Sequence, residues 1–142
     1  MSQARSLRAV MTGLALCIAS VPLGAQEQAL TIELNDAVDV NGNCRLAYVA
    51  YNGTGKLLDK ASFDVFIFDA KGKVGQSLVF QFGRLPEGKT KVVQFDLANN
   101  ACSSISRLLV NDIRDCVADG EESTICIDAL KTTTRTSIAF GL

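Results

Sequence analysis

The 142-residue sequence contains no histidine and no tryptophan, and both of its methionines, Met1 and Met11, stand near the start. Without histidine, the chain cannot carry out Ser-His or Cys-His catalysis or use an imidazole as general base. Beyond residue 11 it also lacks the imidazole and thioether ligands that copper carriers use. The absence of histidine therefore excludes these catalytic mechanisms. Together with the absence of methionine after residue 11, it argues against a role in copper trafficking.

Acidic residues are absent before Glu27, and this first segment has the parts of a secretory signal peptide. Two arginines are followed by an apolar stretch at residues 9–20, a proline, and a short sequence that ends in the small residue Ala25. Such a segment is short for a permanent membrane span. We predict a signal peptide over residues 1–25, cleaved near Ala25, and export to the periplasm or the exterior of a bacterium. Because Leu23 is bulky for its place before the cleavage site, an uncleaved anchor is the alternative.

The remaining residues, 26–142, are enough for one domain and show no repeat or low-complexity linker. They carry 12 basic and 15 acidic residues, because two of the 14 basic residues belong to the predicted signal peptide. A net charge of −3 without a basic stripe argues against nucleic acid and anionic membrane surfaces as partners. We also predict no transmembrane segment after signal cleavage, since no second stretch is long and apolar enough.

Four cysteines follow the predicted signal peptide, namely Cys44, Cys102, Cys116 and Cys126. An even number of cysteines in a small exported domain predicts two disulfides. Three pairings are open, and we favour Cys44–Cys102 as a long-range link and Cys116–Cys126 across a short loop. On the loop-entropy model these would contribute about 4 and about 2.7 kcal/mol to stability. A zinc site is the alternative, but there is no C-x-x-C spacing and no histidine. We therefore predict no metal and no other cofactor.

The central part of the chain alternates short apolar runs with turn residues. Runs rich in Val, Ile and Phe occupy residues 63–68, 78–82 and 92–95. They are separated by sequences containing Gly72 and by Pro86 with its neighbouring glycine, which favour tight turns. Runs of this length bounded by glycine and proline indicate strands rather than helices. We predict a meander of three consecutive strands.

Further strands are predicted on both sides of this meander. Apolar and polar residues alternate at residues 29–34 and 44–52, and residues 35–43 between them are polar and read as a loop. A helical turn is expected near residues 104–108. Further strands are predicted at residues 108–115, 125–135 and 137–142. Together these elements predict an all-β fold, a two-layer immunoglobulin-like sandwich of about seven strands stapled by disulfides.

Three motifs in the order of these strands and turns carry a family resemblance. They are NGTG at residues 52–55, F-x-V-x-I-F-D-A-x-G-x-V at residues 63–74 and L-P-x-G-K-T at residues 85–90. Over about residues 48–95 the chain resembles the FxLYD-type immunoglobulin-like modules, which are small bacterial envelope domains. It departs from them in the residue between Pro86 and the following glycine, and in its four cysteines. The resemblance implies a β-sandwich used as a scaffold or interaction module, without catalytic residues.

Aromatic residues in the meander make the first candidate site. Residues 63, 65 and 67 form one apolar face of a strand, yet Phe66 and Phe68 make the other face apolar as well. An exposed apolar face rimmed by polar residues marks a docking surface. We predict a partner face containing Phe66, Phe68, Phe80 and Phe82, and a covered core strand is the alternative.

An acidic loop makes the second candidate site. Asp119, Glu121 and Glu122 surround a glycine between the third and fourth of the four cysteines. These carboxylates could bind a cation or a basic partner surface, and a solvated loop tip is the alternative.

The function predicted from these observations is non-catalytic. We expect an exported accessory or interaction module that docks on another envelope protein. The alternative is a domain that binds a small molecule or a cation, or acts as an inhibitor, with loops at one end of the sandwich. An enzyme would need a carboxylate pair such as Asp36 and Asp39, or a cation held by Asp119 and Glu121. We therefore predict that the protein is not an enzyme.

Overall fold

The computed structural model describes residues 27–142, so the predicted signal peptide lies outside the described residues. This part of the chain contains nine strands, one 3₁₀ turn at Cys102–Ser104 and one helical turn, α1 (Ile125–Asp128). The strands are β1 (Leu30–Val40), β2 (Asn43–Asn52), β3 (Leu58–Asp69), β4 (Val74–Gln81), β5 (Thr90–Leu97), β6 (Ile105–Ala118), β7 (Glu121–Glu122), β8 (Leu130–Thr134) and β9 (Ala139–Gly141). Seven of them have five residues or more, which agrees with the predicted number.

The strands form two sheets packed face to face. Sheet I has the order β5-β2-β1-β8, and sheet II has the order β4-β3-β6-β7 with β9 also pairing to β6. Most neighbours are antiparallel, but β8 runs parallel to β1 and β9 runs parallel to β6. The prediction of an all-β, two-layer sandwich stapled by disulfides is therefore confirmed.

Alternation along the central strands produces the core between the sheets. In β2, the residues at even positions from Cys44 to Ala50 are buried and the residues between them are half-buried. In β3, Phe63, Val65 and Ile67 point inward in the same way. Since successive side chains of a strand point to opposite faces, each sheet presents one apolar face to the other.

An aromatic cluster closes the side of the sandwich on which β4 and β5 are the edge strands. Phe80 of β4 stacks on Phe95 of β5 with ring centroids 4.5 Å apart, which joins the edges of the two sheets. Tyr48 packs edge-to-face against both of these rings, with its centroid 5.8 Å from each. Offset stacked and edge-to-face aromatic pairs add stabilisation beyond the burial of their area.

The predicted three-strand meander is wrong in its third strand. β4 pairs with β3, but β5 pairs with β2, so the connection between them crosses from sheet II to sheet I. Leu85 fixes this crossing, because its backbone N–H and C=O pair with Leu58 and its carbonyl also accepts a hydrogen bond from the Asn52 side chain. The Asn52 amide is fully buried, so it holds the crossing from inside the protein.

Residues 35–43, predicted as a loop, are mostly strand. β1 continues to Val40, and the register with β2 shifts between Leu34 and Asp36, which indicates a β-bulge. The turn is confined to Asn41 and Gly42, whose φ angles of 50° and 80° suit a tight hairpin. Pairing with β2 satisfies the backbone hydrogen-bonding groups of this polar segment. The polar composition of the segment alone did not indicate a strand.

Two further segments differ from the prediction. No helical turn occurs at residues 104–108, because the 3₁₀ turn ends at Ser104 and β6 begins at Ile105, opposite Asp69 of β3. The strand predicted at residues 125–135 begins with α1, and only β8 within it is extended. The helical turn brings Cys126 to its disulfide partner Cys116, a constraint that outweighs the strand preference of the isoleucines beside it.

Candidate docking surface

Both disulfides predicted from the sequence are formed. Cys44–Cys102 links β2 of sheet I to the 3₁₀ turn that leads into sheet II, across a sequence separation of 58 residues. Cys116–Cys126 links β6 to α1, across a separation of 10 residues. The described residues contain no group of three or more His, Cys, Asp and Glu side chains that could hold a metal ion.

The outer face of sheet II changes from polar to apolar along β3. Ser62 near its start donates a hydrogen bond to the Asp115 carboxylate at 2.9 Å, and Asp64 forms an ion pair with Arg114 at 3.2 Å. Phe66 and Phe68 follow on the same face and are half-buried. The apolar end of β3 thus continues directly from a stretch of paired polar side chains.

Neighbouring strands extend the apolar end of β3 sideways. Leu109 of β6 lies opposite Phe66, Val74 of β4 lies opposite Phe68, and Val79 of β4 lies opposite Asp64. Val74 and Val79 have 59% and 37% of their surface exposed, so this part of the face is open to solvent. We name these five residues the apolar strip: Phe66, Phe68, Val74, Val79 and Leu109.

A cation lies at the rim of the apolar strip. The guanidinium carbon of Arg107 is 5.6 Å from the ring centroid of Phe68, within the range of a cation–π interaction. Arg107 is itself exposed and lies opposite Phe68 in the β3–β6 pairing. An apolar centre with a polar, solvent-accessible rim is the usual anatomy of a protein–protein interface.

Phe80 and Phe82 do not belong to this surface, so their predicted place in the partner face is wrong. Each has 2% of its surface exposed, and both rings contact Tyr48 in the core. Phe80 lies opposite the inward-facing Phe63, which puts its side chain on the inner face of sheet II. Only Phe66 and Phe68 of the four predicted aromatic residues point outward.

The outer face of sheet I differs in that it carries two ion pairs. Arg45 donates from Nε and Nη2 to the two carboxylate oxygens of Asp96 at 2.7 and 2.8 Å, and these hydrogen bonds hold the pKa of Asp96 below its ordinary value. A hydrogen bond from Asn35, and then one from Arg135, lower the pKa of Glu33. Apolar residues are exposed on this face too, namely Val38, Tyr51 and Val92, and Val92 lies opposite Val49.

The acidic loop does not bring its three carboxylates together. Asp119 has a φ of 51°, and its Oδ1 accepts a hydrogen bond from the Leu57 N–H at 3.0 Å, so this side chain completes a turn. Glu121 and Glu122 form β7, where neighbouring side chains point to opposite faces. The arrangement is a solvated turn with dispersed charges.

The carboxylates of Asp36 and Asp39, the pair that an enzyme would need, accept hydrogen bonds from backbone N–H groups. Oδ1 of Asp36 accepts a hydrogen bond from the adjacent Ala37 N–H, and Oδ1 of Asp39 accepts one from the Cys102 N–H at 2.7 Å. The contact of Asp39 with Cys102 fixes the approach to the first disulfide. Nothing in this geometry aims the two carboxylates at a common reacting atom.

An open cleft lies at one end of the sandwich. It has a volume of about 310 Å³, and Glu27, Tyr51 and Glu87 line it together with three glycines. Glu27 is paired with Lys131 at 2.9 Å, which offsets one of the two acidic charges. Sequence reasoning placed possible ligand loops at one end of the sandwich without identifying these residues.

No helix among residues 27–142 combines the length and the apolar character that crossing a membrane requires. Comparisons with protein families, with curated proteins and with solved structures found no match to this chain.

Proposed function

We propose that the protein is a non-catalytic interaction module of the bacterial envelope, which docks on another envelope protein through the apolar strip. The observation that carries this proposal is that apolar side chains from three adjacent strands share the outer face of sheet II, where those on β4 are exposed and those on β3 and β6 are half-buried. A sheet face turned to solvent normally carries polar residues, and a contiguous apolar patch rimmed by polar side chains is typical of an interaction site.

The chemistry of the strip supports protein as the partner. Phe66 and Phe68 are large, rigid side chains of the kind that anchor interfaces, and Arg107 beside them is of a type enriched there. The paired charges of Asp64 and Arg114 border the strip at 3.2 Å from each other and limit its extent.

The proposed location follows from the first segment of the chain and from the disulfides. Residues 1–25 have the pattern of a secretory signal peptide, and structural disulfides form and persist in oxidising compartments such as the periplasm. The resemblance of residues 48–95 to envelope modules of the FxLYD type points to the same compartment. Export to the periplasm or secretion is therefore part of the proposal.

The second candidate function is binding of a small cationic molecule in the cleft at one end of the sandwich. The exposed ring of Tyr51 and the carboxylate of Glu87 line this cleft, and both attract cations. We rank it second because the cleft is open, whereas small-molecule sites bury most of the ligand.

The test is co-purification from crosslinked cell envelopes with a tagged protein, read by mass spectrometry. We expect the natural protein to recover one envelope protein at a constant ratio. The double variant F66T/F68T keeps good strand formers and removes both rings, and it should recover at least about tenfold less, since a lost anchor costs about 2 kcal/mol or more.

The matched control is V92T, which makes the same type of exchange at an exposed apolar residue on the outer face of sheet I. It should recover the partner at the natural level. Equal loss in V92T and F66T/F68T, or recovery of the tagged protein alone in every case, would contradict docking through the apolar strip.

A further inference from the structure

β4 is an edge strand whose outer backbone groups are free among the described residues. It pairs with β3 on one side, and no other described strand lies on its other side. The Phe82 N–H, just after β4, donates to the Ala61 carbonyl of β3 at 2.9 Å, so Phe82 is hydrogen-bonded to β3. Along an antiparallel pair, residues that are hydrogen-bonded to the neighbouring strand alternate with residues that are not. The N–H and C=O groups of Ser77, Val79 and Gln81 therefore point away from sheet II.

The composition of β4 leaves this edge unprotected. Natural edge strands are usually short or carry charges, proline or bulges that prevent pairing with another chain. β4 has eight residues, VGQSLVFQ, with no charge and no proline. Its bulge lies near the start, where two residues of β4 face Ile67 alone, and residues 77–81 continue in regular register.

The other sheet edges in residues 27–142 do carry such protection. β5 has eight residues but contains Lys91 and Asp96. β8 has five residues including Lys131, β7 consists of two glutamates, and β9 has three residues. β4 is thus the long edge strand of this structure that lacks a charge.

Basic residues cluster at both ends of β4. Between residues 69 and 95 the chain has two acidic residues, Asp69 and Glu87, and five basic ones. Two precede β4 and three follow it: Lys71, Lys73, Arg84, Lys89 and Lys91. Lys91 lies at the end of β4, where its Nζ donates to the Phe82 carbonyl at 2.7 Å. An extended segment with acidic ends would complement these charges.

The same charges act against a second copy of this chain as the occupant. Two β4 strands paired about a twofold axis run antiparallel, which places the basic start of one beside the basic end of the other. Like charges brought together in this way oppose association. A partner with acidic ends meets no such repulsion.

We propose that the free edge of β4 binds an extended segment of a partner protein by strand addition. The segment has apolar residues at alternate positions in its middle and acidic residues at its ends. Backbone hydrogen bonds to Ser77, Val79 and Gln81 provide the pairing, and the apolar side chains on the outer face extend the apolar strip next to Val79. This inference rests on the proposed function, because it specifies the chemistry of the docking partner.

The variant V79P tests this proposal directly. Proline removes the outward N–H of Val79 and does not break the ladder with β3, which makes it tolerable on an edge strand. V92P is the matched control on β5. The Asn52 N–H donates to the Lys89 carbonyl at 3.2 Å. The alternation of hydrogen-bonded residues along the β2–β5 pair therefore makes the Val92 N–H point away from sheet I. V79A separates loss of the side chain from loss of the N–H.

The measurement is selection of a displayed library of random 12-residue peptides on the purified full-length protein. We expect the enriched peptides to alternate apolar residues and to carry Asp or Glu at their ends. They should bind V79P at least about tenfold more weakly than V79A, which loses the same side chain but keeps the N–H, while V92P should bind them as the natural protein does. Binding should also weaken as salt is added. S77P, which removes the neighbouring outward N–H, replaces V79P if that variant does not fold.

Four outcomes would overturn the proposal. Selection could enrich no alternating, acidic-ended peptide, or V79P and V92P could bind the enriched peptides equally. Sedimentation could instead show a dimer of the natural protein that V79P abolishes, which would make a second copy the occupant. If V79P keeps the envelope partner that F66T/F68T loses, strand addition fails and docking through the apolar strip stands.

Discussion

At the scale of single residues, Tyr48 lies at the centre of the core but carries a polar group that lowers the stability of the fold. Its side chain is fully buried among four aromatic rings, at centroid distances from 5.1 to 5.8 Å. Its hydroxyl has no hydrogen-bond partner among the described residues, and burial raises the pKa of this group far above its ordinary value. A buried hydroxyl without a partner opposes folding, because the unfolded chain hydrates it.

We therefore predict that Tyr48→Phe increases the free energy of unfolding by about 1–2 kcal/mol, because the ring remains and the unpaired hydroxyl is removed. Tyr48→Ala should instead lose about 3–5 kcal/mol through the cavity it leaves. Urea denaturation measures both. Tyr51→Phe, at an exposed tyrosine of the same strand, is the control and should change stability by less than about 0.5 kcal/mol. A less stable Tyr48→Phe protein would contradict this reading of the hydroxyl.

The pair of Arg45 and Asp96 gives a prediction about pH. Arg45 lowers the pKa of Asp96 in the folded protein, first by hydrogen bonds and then by its charge. A carboxyl whose pKa is lower in the folded state contributes stability above the ordinary aspartate pKa of about 3.9, and this contribution disappears as pH falls through the folded value. The contribution is modest, since the two side chains are 40% and 42% exposed.

We expect Asp96→Asn to be less stable than the natural protein at pH 6 and to approach it at pH 2. The urea midpoints of both proteins at the two pH values measure this convergence. Added salt should reduce the difference at pH 6, because it screens exposed ion pairs. Glu87→Gln, in the exposed turn before β5, is the control for removal of an acidic charge. A difference between the natural protein and Asp96→Asn that stays constant with pH would contradict the role given to this pair.

At the scale of elements, the two disulfides should contribute unequally. Cys44–Cys102 spans 58 residues and Cys116–Cys126 spans 10, so the first restricts the unfolded chain more strongly. We predict a loss of about 4 kcal/mol for C44A/C102A and of about 3 kcal/mol for C116A/C126A. Alanine avoids placing a hydroxyl at these positions, of which three are buried and Cys102 is half-buried. The reverse order in chemical denaturation would show that native packing around α1, rather than loop length, sets the contribution.

Local pattern predicts the strands well and their partners poorly. The alternation in β2 gave its bounds and its buried face, because both follow from a period of two along one strand. The pairing of β5 with β2 did not follow, since a turn containing Pro86 fits a hairpin and a crossing equally well. The buried Asn52 amide on the Leu85 carbonyl decides between them, and this contact joins residues 33 positions apart.

In the candidate site, too, the sequence pattern predicts the face of a side chain within one strand but not the register between two strands. Phe66 and Phe68 point outward as predicted, because they alternate with Phe63, Val65 and Ile67 within one strand. The face occupied by Phe80 and Phe82 depends on the register between β4 and β3, and a shift of one residue would reverse it. Likewise, the helical turn at Cys126 follows from its disulfide with Cys116, which residue preferences do not encode.

At the scale of the whole molecule, the two outer faces have different characters. The face of sheet I carries the bidentate pair of Arg45 and Asp96 and the pair of Arg135 and Glu33. The face of sheet II carries the apolar strip and ends at the uncharged edge of β4. This difference between the faces makes the proposed orientation testable in the cell.

The most direct test places a photo-crosslinking phenylalanine derivative at single positions and irradiates living cells. Phe68 on the apolar strip and Tyr51 on sheet I are suitable, because both are aromatic residues with surface available and lie on opposite outer faces. We predict one crosslinked envelope protein from position 68 and none from position 51. No product from position 68, or a product from position 51 alone, would contradict docking through the apolar strip and direct attention to the cleft beside Tyr51.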